Sequence, residues 1–318
     1  MNKKISRKAL NIFQIFLLIS PLLICILLFS LVPIFLTLQK SFKYFPYSYT
    51  KSIYTYNFGN YKNIFNDSQF HHAILNTTTT TFIGSFSAML FALMFAILIE
   101  HVISKTAKSA FLTLIYSQFF ISSFAVGIAF TVFFGSKGLF YKLLGTEYHF
   151  TYGEKRLPIW VYYSLFQFWR ALPFNLVLFA SAINRANSKY SKLIKNDKLT
   201  LLQKIKFIYS NEIEKVFFVI LFTNFIFATL LLPDAILESS FDVDLNHAHT
   251  LTSYAIKYSG GGSNPSLKYE KGYAAAFFSF IYLVFLMFII LVLRASFIKK
   301  IINFVQKYKA KSRRKNEC

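Results

Sequence analysis

The sequence predicts an all-α, polytopic membrane protein, and three observations lead to that class. Hydrophobic residues make up 55% of the 318 residues and charged residues only 15%, whereas globular proteins average roughly 45–50% and about 25%. Mean hydropathy is +0.46. Long stretches without Asp, Glu, Lys or Arg recur along the chain, and a helix needs about 20 apolar residues to cross a bilayer. We therefore expect a bundle of transmembrane helices in the cell membrane.

Six stretches are long enough to cross a bilayer, although Arg170 interrupts the fourth and Asp234 ends the charge-free part of the fifth. The predicted spans lie near residues 12–37, 77–102, 110–135, 159–184, 216–238 and 272–297. Four basic residues precede the first span, as in a signal peptide. Its apolar run exceeds the roughly 7–15 residues of a signal peptide, and no small-residue cleavage site follows it. We expect an uncleaved first helix.

Basic residues predict the orientation of these spans. With both termini in the cytoplasm, the inner segments 1–11, 104–109, 185–215 and 299–318 carry 22 Lys and Arg, and the longer outer segments carry 11. Short loops rich in Lys and Arg stay on the cytoplasmic side, so both termini are expected inside the cell. This topology explains the net charge of +22, and membrane lipid rather than nucleic acid is the expected neighbour.

Motifs for catalysis and nucleotide binding do not occur in the sequence. It contains neither a phosphate-binding G-x-x-x-x-G-K-[ST] loop nor the G-x-S-x-G and H-E-x-x-H patterns of hydrolases. The six histidines fall in loops or at span ends, where solvated histidines are usual. No catalytic residue, metal site or cofactor is therefore predicted, and a passage or scaffold is expected rather than an enzyme.

Residues 57–77, before the second span, carry a spaced pattern of polar and apolar residues. Its positions are Asn60, Tyr61, Asp67, Phe70, Ala73, Asn76 and Thr77. They match, without a gap, the N-Y-x-x-x-x-x-D-x-x-F-x-x-A-x-x-N-T stretch of sugar-type ABC importer permeases, the maltose and glycerol-3-phosphate permease family. Later stretches resemble the same family in the same order, with W-R-x-x-P-F at 169–174, T-L-x-x-Y at 250–254 and G-Y-A-A-A at 272–276.

The resemblance implies a fold, a solute class and a set of partners. The fold is that of a type I ABC importer permease over residues 72–298, preceded by a tail, first helix and outer loop in 1–71 and followed by a basic tail in 299–318. The implied solute is a sugar, a polyol or glycerol-3-phosphate. The implied partners are ATP-binding cassette ATPase subunits, a second homologous permease and an extracytoplasmic solute-binding lipoprotein.

The cytoplasmic loop 185–215 is the expected contact with an ATPase, although it keeps little of the family's loop motif. The positions that match E-A-A-x-I-D-G-A-x-x-x-Q-x-F-x-x-I-x-x-P are Asp197, Gln203 and Ile208. An apolar stripe with helical spacing is formed by Leu201, Leu202, Ile205 and Ile208, and Asp197 is the expected helix cap. Lipid, the protein's own bundle or a partner groove can each cover such a stripe; the resemblance favours a partner.

Charged residues within the predicted spans are candidates for the solute path. Arg170 lies about midway along the fourth span, and Asp234 lies in the outer half of the fifth, after Pro233. A charge inside a membrane normally faces a partner or a water-filled path. One interpretation is an ion pair between the two residues. The other is a path in which Arg170, beside Trp169, donates hydrogen bonds to solute hydroxyls or a phosphate. The alternative function is a stand-alone secondary transporter that uses both charges.

Overall fold

The structure, a computed structural model, describes residues 2–46, 53–102, 104–135, 138–145, 149–151, 153, 155–197, 199–261 and 268–293. The α-helices are α1 (Asn2–Ile26), α2 (Val32–Ser41), α3 (Gly59–Phe65), α4 (Ser68–Thr79), α5 (Ser85–Glu100), α6 (Lys105–Ser117), α7 (Ser123–Phe134), α8 (Leu139–Leu144), α9 (Ile159–Lys189), α10 (Ser191–Asn196), α11 (Leu201–Gln203), α12 (Ser210–Thr229), α13 (Leu251–Tyr258) and α14 (Tyr269–Leu293). Strands β1 (Lys43–Tyr44) and β2 (Thr55–Tyr56) pair antiparallel. The predicted basic tail 299–318 lies outside the described residues.

Three turns of π-helix and two of 3-10 helix connect some of these elements. The π-helical turns are Leu27–Leu31, Thr80–Gly84 and Lys204–Tyr209, and the 3-10 turns are Gln118–Phe120 and Pro233–Ala235. Each π-helical turn follows one α-helix directly and leads into the next, so that α1 and α2, α4 and α5, and α11 and α12 form three long continuous helices.

Five helical stretches in the described part of the chain are long and apolar enough to cross a membrane. They are Gln14–Ser41, Ser68–Glu100, Ala125–Leu143, Ile159–Lys189 and Tyr269–Val292. Four of them overlap the first, second, fourth and sixth predicted spans closely. The third and fifth predicted spans differ from the structure in ways that have local causes.

The third predicted span, 110–135, is interrupted in the structure. Helix α6 ends at Ser117, and α7 begins only at Ser123, after a short 3-10 turn. Ile121 is extended, and the hydroxyl of Ser122 accepts a hydrogen bond from the backbone of Ala125 at 3.2 Å. A serine in this position caps a new helix, so the chain restarts within an apolar run that hydropathy alone treats as continuous.

The fifth predicted span, 216–238, ends earlier than expected. Helix α12 stops at Thr229 after 20 residues, and Pro233 starts a separate 3-10 turn. Proline disfavours helical geometry in the residue before it, and Leu232 is accordingly extended. The other end of α12 carries Glu212 among its buried residues. Asp234 therefore lies beyond the end of the helix and not inside it.

Helix α9 is the centre of the bundle. It packs against the second span, α7 and α12, and a long stripe of its side chains is buried. The first span behaves differently, because the apolar side chains from Ile15 to Leu36 are mostly exposed. Only its end, α2, packs closely on the bundle, against α14. Most of the apolar surface of the first span is therefore left without a protein neighbour among the described residues.

The π-helical turn of the second span, Thr80–Gly84, packs directly against α9. Gly84 ends the turn, and a Cβ atom at this position would lie 2.9 Å from Cβ of Gln167 and 3.0 Å from the backbone oxygen of Ser164. A side chain has no room there. Glycine thus allows the two helices to meet backbone against backbone at the level where polar side chains enter the bundle.

Candidate functional site: a membrane path and its two ends

The end of the bundle that the sequence predicts to face outward is formed by residues 59–77, 231–261 and 268–272 and is called the outer end here. Most residues of the 57–77 motif make structural contacts there. The carboxylate of Asp67 accepts hydrogen bonds from Tyr254 at 2.7 Å, Tyr258 at 3.2 Å and Lys271 at 2.7 Å. Burial raises the pKa of Asp67, but the hydrogen bonds from Lys271 and Tyr254 outweigh it and lower the value to about 2.

The other motif residues bind backbone at the same end. Asn60 donates to the carbonyl oxygens of Ser41 and Lys43 at 2.9 and 2.7 Å. Asn76 donates to those of His247 and His249 at 2.9 and 3.0 Å. Thr77 accepts from the backbone of Leu251 at 2.9 Å, and Phe70 and Ala73 are fully buried. The three motif stretches, which lie in α3 and α4, in α13 and in α14, thus form one joint, which we call the outer joint.

Arg170 lies on α9 inside the bundle and binds neutral groups. Its guanidinium donates to Oε1 of Gln167 at 2.8 Å and to the backbone oxygen of Phe227. The rings of Phe166 and Phe227 lie 5.4 and 5.3 Å from its central carbon. Its Nε atom is buried and makes no hydrogen bond within the described residues. Because no carboxylate pairs with Arg170 among the described residues, its guanidinium can donate a hydrogen bond to an anionic or hydroxyl-rich group.

Asp234 does not supply that carboxylate. Within the described part of the chain, Arg170 forms no ion pair. Asp234 lies in the turn Pro233–Ala235, next to the outer joint. There burial lowers the pKa of His249, and the negative charge of Asp234 is one of those that oppose this shift. The structure thus gives no support to the predicted ion pair between Arg170 and Asp234.

Trp169 lies on a neighbouring face of α9 and borders an aromatic cavity. The volume of this cavity is about 290 Å³. Its walls are Gln118, Phe130, Phe134, Leu165, Phe168, Trp169 and Leu172. The break between α6 and α7 brings Gln118 to this wall and adds one amide to an otherwise apolar lining. A cavity of this composition has the aromatic surface and the isolated polar group that small-molecule sites commonly combine.

Gln167 connects α9 to α5 and α12, and no motif of the sequence marked it as a candidate. It is fully buried, and its Nε2 atom donates to the backbone oxygen of Asn224 at 3.0 Å and lies 3.4 Å from the hydroxyl of Ser85. The signal was its spacing, since it precedes Arg170 by three residues and shares its side of the helix. Nearby, the buried amides of Asn175 and Asn224 make no side-chain hydrogen bond among the described residues.

The loop 185–215 contains the second group of candidate residues. Thr200, rather than Asp197, precedes the helix, and its backbone N–H donates to Oε1 of Gln203 at 2.9 Å. Asp197 instead follows the last residue of α10. The prediction that Asp197 caps the helix of this loop was therefore wrong, since that helix begins at Leu201. Thr200 is better placed because a residue in extended geometry directly before a helix, with Gln three positions later, is the arrangement of a capping box.

The apolar stripe of this loop is divided between two environments. Ile208 is 1% exposed and belongs to a buried apolar cluster with side chains of α5, α9 and α12, which we call the internal cluster. Ile205 packs against this cluster. Leu201 and Leu202 are 42% and 77% exposed. The protein's own bundle therefore covers one half of the stripe and leaves the other half open. We call α11 together with the turn Lys204–Tyr209 the coupling helix. The inner end is formed by residues 100–102, 104–108, 187–197 and 199–215.

The described helices include five stretches that are long and apolar enough to cross a membrane. The polar side chains beside α9, which are those of Gln167, Arg170, Asn175 and Asn224, are called the polar seam. Among solved structures, the chain resembles the bacterial ABC transporter involved in the import of the acidic polysaccharide alginate, with a TM-score of 0.69 and 20% identity over 90% of this chain and 96% of that one. The same transporter, in complex with an alginate pentasaccharide-bound periplasmic protein, gives a TM-score of 0.68 and 20% identity over 91% and 94%.

Sequence comparison points to the same class. The chain is 25% identical over 186 residues to a probable ABC transporter permease protein of Mycoplasma genitalium, and 26% identical over 171 residues to its homologue in Mycoplasma pneumoniae. These matches cover 57% and 53% of this chain and 56% and 52% of the relatives, so the chain spans about half the length of the curated relatives that it matches. No family model matches the chain.

The chain is thus similar in sequence to ABC transporter permeases over about half of its length, and its fold is that of an ABC importer permease. It is a multi-pass protein of the cell membrane. These two statements confirm the resemblance that the motifs of the sequence carried.

Proposed function

We propose that this chain is a permease subunit of an ABC importer and forms the membrane path for a sugar, a polyol or a glycerol-3-phosphate-like solute, driven by a separate ATPase. The observation that carries the proposal is the fold match over nine-tenths of both chains. The outer joint supports it, because the residues through which the sequence resembles sugar-type permeases are those that hold the fold together.

Six spans with both termini inside the cell are part of the proposal. Helix α12 supplies the sixth span, since it is 20 residues long and apolar beyond its first turns. Those first turns carry Glu212, which accepts a hydrogen bond from Lys215 at 2.5 Å and lies 3.6 Å from Lys189. Charged groups of this kind belong at the edge of a membrane, and Lys-rich ends favour the cytoplasmic side.

The solute path uses the polar seam beside α9. Arg170 has a buried donor to offer, Trp169 supplies an aromatic wall, and the amides of Asn175 and Asn224 are polar groups that a hydroxylated solute satisfies. An unpaired polar group in a membrane interior is costly. A path that carries hydroxyl groups past these amides gives them a function that a sealed apolar core does not.

The three kinds of partner follow from the surfaces that remain open. An ATPase subunit covers Leu201 and Leu202 at the inner end. A second homologous permease covers the exposed first span, Gln14–Ser41. A solute-binding lipoprotein docks on the outer end, as a periplasmic protein is found in complex with the alginate transporter.

A pull-down from the native membrane tests this function. The tagged chain is expected to recover an ATP-binding cassette subunit and a second permease, and vesicles with the complex are expected to take up one of three labelled probes, maltose, glycerol or glycerol-3-phosphate, only with ATP inside. Recovery of the chain alone, together with uptake driven by an ion gradient, would instead identify a secondary transporter.

Two charged substitutions locate the ATPase contact. Leu201→Asp with Leu202→Asp is expected to remove the ATPase from the complex, because both side chains are exposed and a charge there prevents burial in a partner groove. Leu245→Asp is the matched control, since Leu245 is 79% exposed at the outer end. Ile205 is unsuitable for this test because its substitution also disturbs the internal cluster. Equal ATPase recovery from both variants would place the contact elsewhere.

A further inference from the structure

Side chains from four helical elements meet at the inner end and form one connected polar chain. Tyr209, the last residue of the coupling helix, donates to Oδ1 of Asn187 on α9 at 3.0 Å. Nδ2 of Asn187 donates to Oε1 of Glu100 at 2.6 Å. Glu100, the last residue of α5, also pairs with Lys108 on α6. The hydrogen bonds therefore connect the coupling helix to the inner ends of three other helices.

This chain of hydrogen bonds is sufficiently buried to keep its geometry. Tyr209 is 3% exposed, and the side chain of Glu100 is 15% exposed. Burial raises the pKa of Tyr209, which the hydrogen bond to Asn187 opposes, so that the phenol remains a donor near neutral pH. Asn187 uses both ends of its amide, and its two partners fix the orientation of that amide. Removing one group leaves a buried neighbour without a partner.

The coupling helix continues into α12, and two further kinds of contact join its side chains to the bundle. The two kinds differ in whether they fix an orientation. Ile205 and Ile208 attach it through apolar contacts, which are not directional and tolerate sliding. The hydrogen bond from Tyr209 fixes a distance and an angle. Tyr209 also ends the π-helical turn Lys204–Tyr209, a geometry that is rare and frequent at functional sites. One directional contact thus lies at the base of the segment that presents Leu202.

We propose that Tyr209 and Asn187 are positioning residues that lock the coupling helix to Glu100, so that an ATPase that moves Leu202 also moves α5 and α9. The assignment rests on the proposed function, because it requires an ATPase at this loop. Without the lock, the coupling helix moves on its apolar contacts while the bundle stays behind. ATP hydrolysis then continues without the corresponding movement of the helices.

Distance measurements on the complex with its ATPase test this lock. Cys25 and Cys318 are replaced by serine, and spin labels are attached to cysteines at the exposed positions Lys206 and His101. Lys206 lies on the coupling helix but is not one of the two residues proposed to contact the ATPase, and His101 follows α5. The distance between the labels is measured without nucleotide and with MgATP and vanadate. The variants are Tyr209→Phe and Asn187→Leu. Ser210→Ala is the matched control. Among the described residues, the hydroxyl of Ser210 donates only to the backbone oxygen of Lys206, one turn earlier in the same helix, at 2.8 Å.

The labels of the parent complex and of the Ser210→Ala complex are expected to keep one narrow distance in both nucleotide states. In Tyr209→Phe and Asn187→Leu, MgATP with vanadate is expected to produce a second distance. ATP hydrolysis by these variants, measured separately without vanadate, is expected to continue. The ratio of the second distance population to the first is expected to be about fivefold higher in each variant than in the Ser210→Ala complex. A change of this size corresponds to the loss of one ordinary net hydrogen bond.

Two results would overturn the lock. The first is a distance distribution that matches Ser210→Ala in both nucleotide states. The second is a loss of stability that is the same with and without nucleotide, which identifies a purely structural contact. A parent complex that contains no ATPase overturns the proposed function itself, and this is read from the pull-down before any distance is measured.

Discussion

The two ends of the bundle are built on different principles. At the outer end, Asp67, Asn76 and Thr77 hold three separate stretches of chain through hydrogen bonds between 2.7 and 3.2 Å. At the inner end, apolar side chains such as Leu202 remain exposed, and one polar chain adds to the apolar contacts between the coupling helix and the bundle. The outer joint is thus closed by contacts within the chain, whereas the inner end keeps an open apolar surface.

The difference teaches that a family motif need not mark the residues that contact the solute or the ATPase. The motif of residues 57–77 is preserved in this chain, and its side chains tie the bundle together. The loop motif of 185–215 is largely absent, and the two exposed apolar residues of this loop, Leu201 and Leu202, are the proposed ATPase contact. The first motif is thus held by contacts within the chain, whereas the second lies beside a surface for which we propose a partner.

Removal of the Asp67 carboxylate is the strongest way to break the outer joint. Asp67→Leu removes the carboxylate that accepts from Lys271 and from two tyrosines and leaves Lys271 with the hydroxyl of Tyr258, at 2.9 Å. Breaking such a partly buried ionic cluster costs about 3–5 kcal/mol. A large fall in the thermal midpoint of the detergent-solubilised protein is expected, measured by size-exclusion chromatography after heating. Lys62→Ala, on an exposed side chain nearby, is the control. Partial recovery in Asp67→Asn with Lys271→Met would confirm the ionic origin, and an unchanged midpoint in Asp67→Leu would contradict it.

Gly84 is the next most sensitive position, because it lies between the two ends. Gly84→Val places side-chain atoms against Gln167 and the backbone of Ser164, and overpacking of this kind costs about 1–3 kcal/mol. The same midpoint measurement is expected to show a smaller fall than Asp67→Leu. Ile83→Ala, a change on an exposed neighbour, is expected to leave the midpoint almost unchanged. A fall in Ile83→Ala equal to that in Gly84→Val would indicate that the contact with α9 is unimportant.

A smaller effect is expected at the start of the coupling helix. Gln203→Ala removes the acceptor for the backbone N–H of Thr200, and the loss of a helix cap costs about 0.5–2 kcal/mol. Hydrogen exchange is expected to become faster at residues 200–204 and to stay the same at the outer joint. Asp197→Ala is the matched variant, and since Asp197 lies outside this cap, it is expected to leave exchange at 200–204 unchanged.

The smallest expected effect is a dependence on pH in the outer loop. Burial lowers the pKa of His249, and the hydrogen bond to Asp244 only partly opposes this. The folded state then binds fewer protons than the unfolded state, so stability falls as pH drops from about 6.5 towards the lowered pKa. After division by the intrinsic exchange rate at each pH, the protection of residues 242–254 against hydrogen exchange is expected to be lower at pH 5.5 than at pH 7.5. His249→Gln is expected to remove this difference, and a difference that persists would assign it to another group.

Hydropathy predicted most of the spans because membrane crossing depends on length and composition, which are properties of the sequence. It did not predict the break at Ile121, since a serine within an apolar run lowers hydropathy very little while it caps a helix. The sequence also could not predict that Arg170 donates to the backbone oxygen of Phe227, because every residue has a backbone carbonyl and no side chain marks the one that is used. The apolar stripe with Ile205 and Leu202 was recognised, but helical spacing does not show which half the protein's own bundle covers.

The π-helical turn at Thr80–Gly84 adds one residue to a single turn of the second span, and this has a consequence for the way such a chain tolerates insertions and deletions. Every residue of an α-helix rotates the chain by about 100°, so the extra residue sets the rotational phase between Asn76 on one side of the turn and Ser85 on the other. Deleting one residue there would keep the length and hydropathy of a membrane span. It would nevertheless rotate the outer joint away from its partners while the glycine contact with α9 stayed in place. We therefore expect tolerated length changes in this chain to fall in its loops and not within this turn.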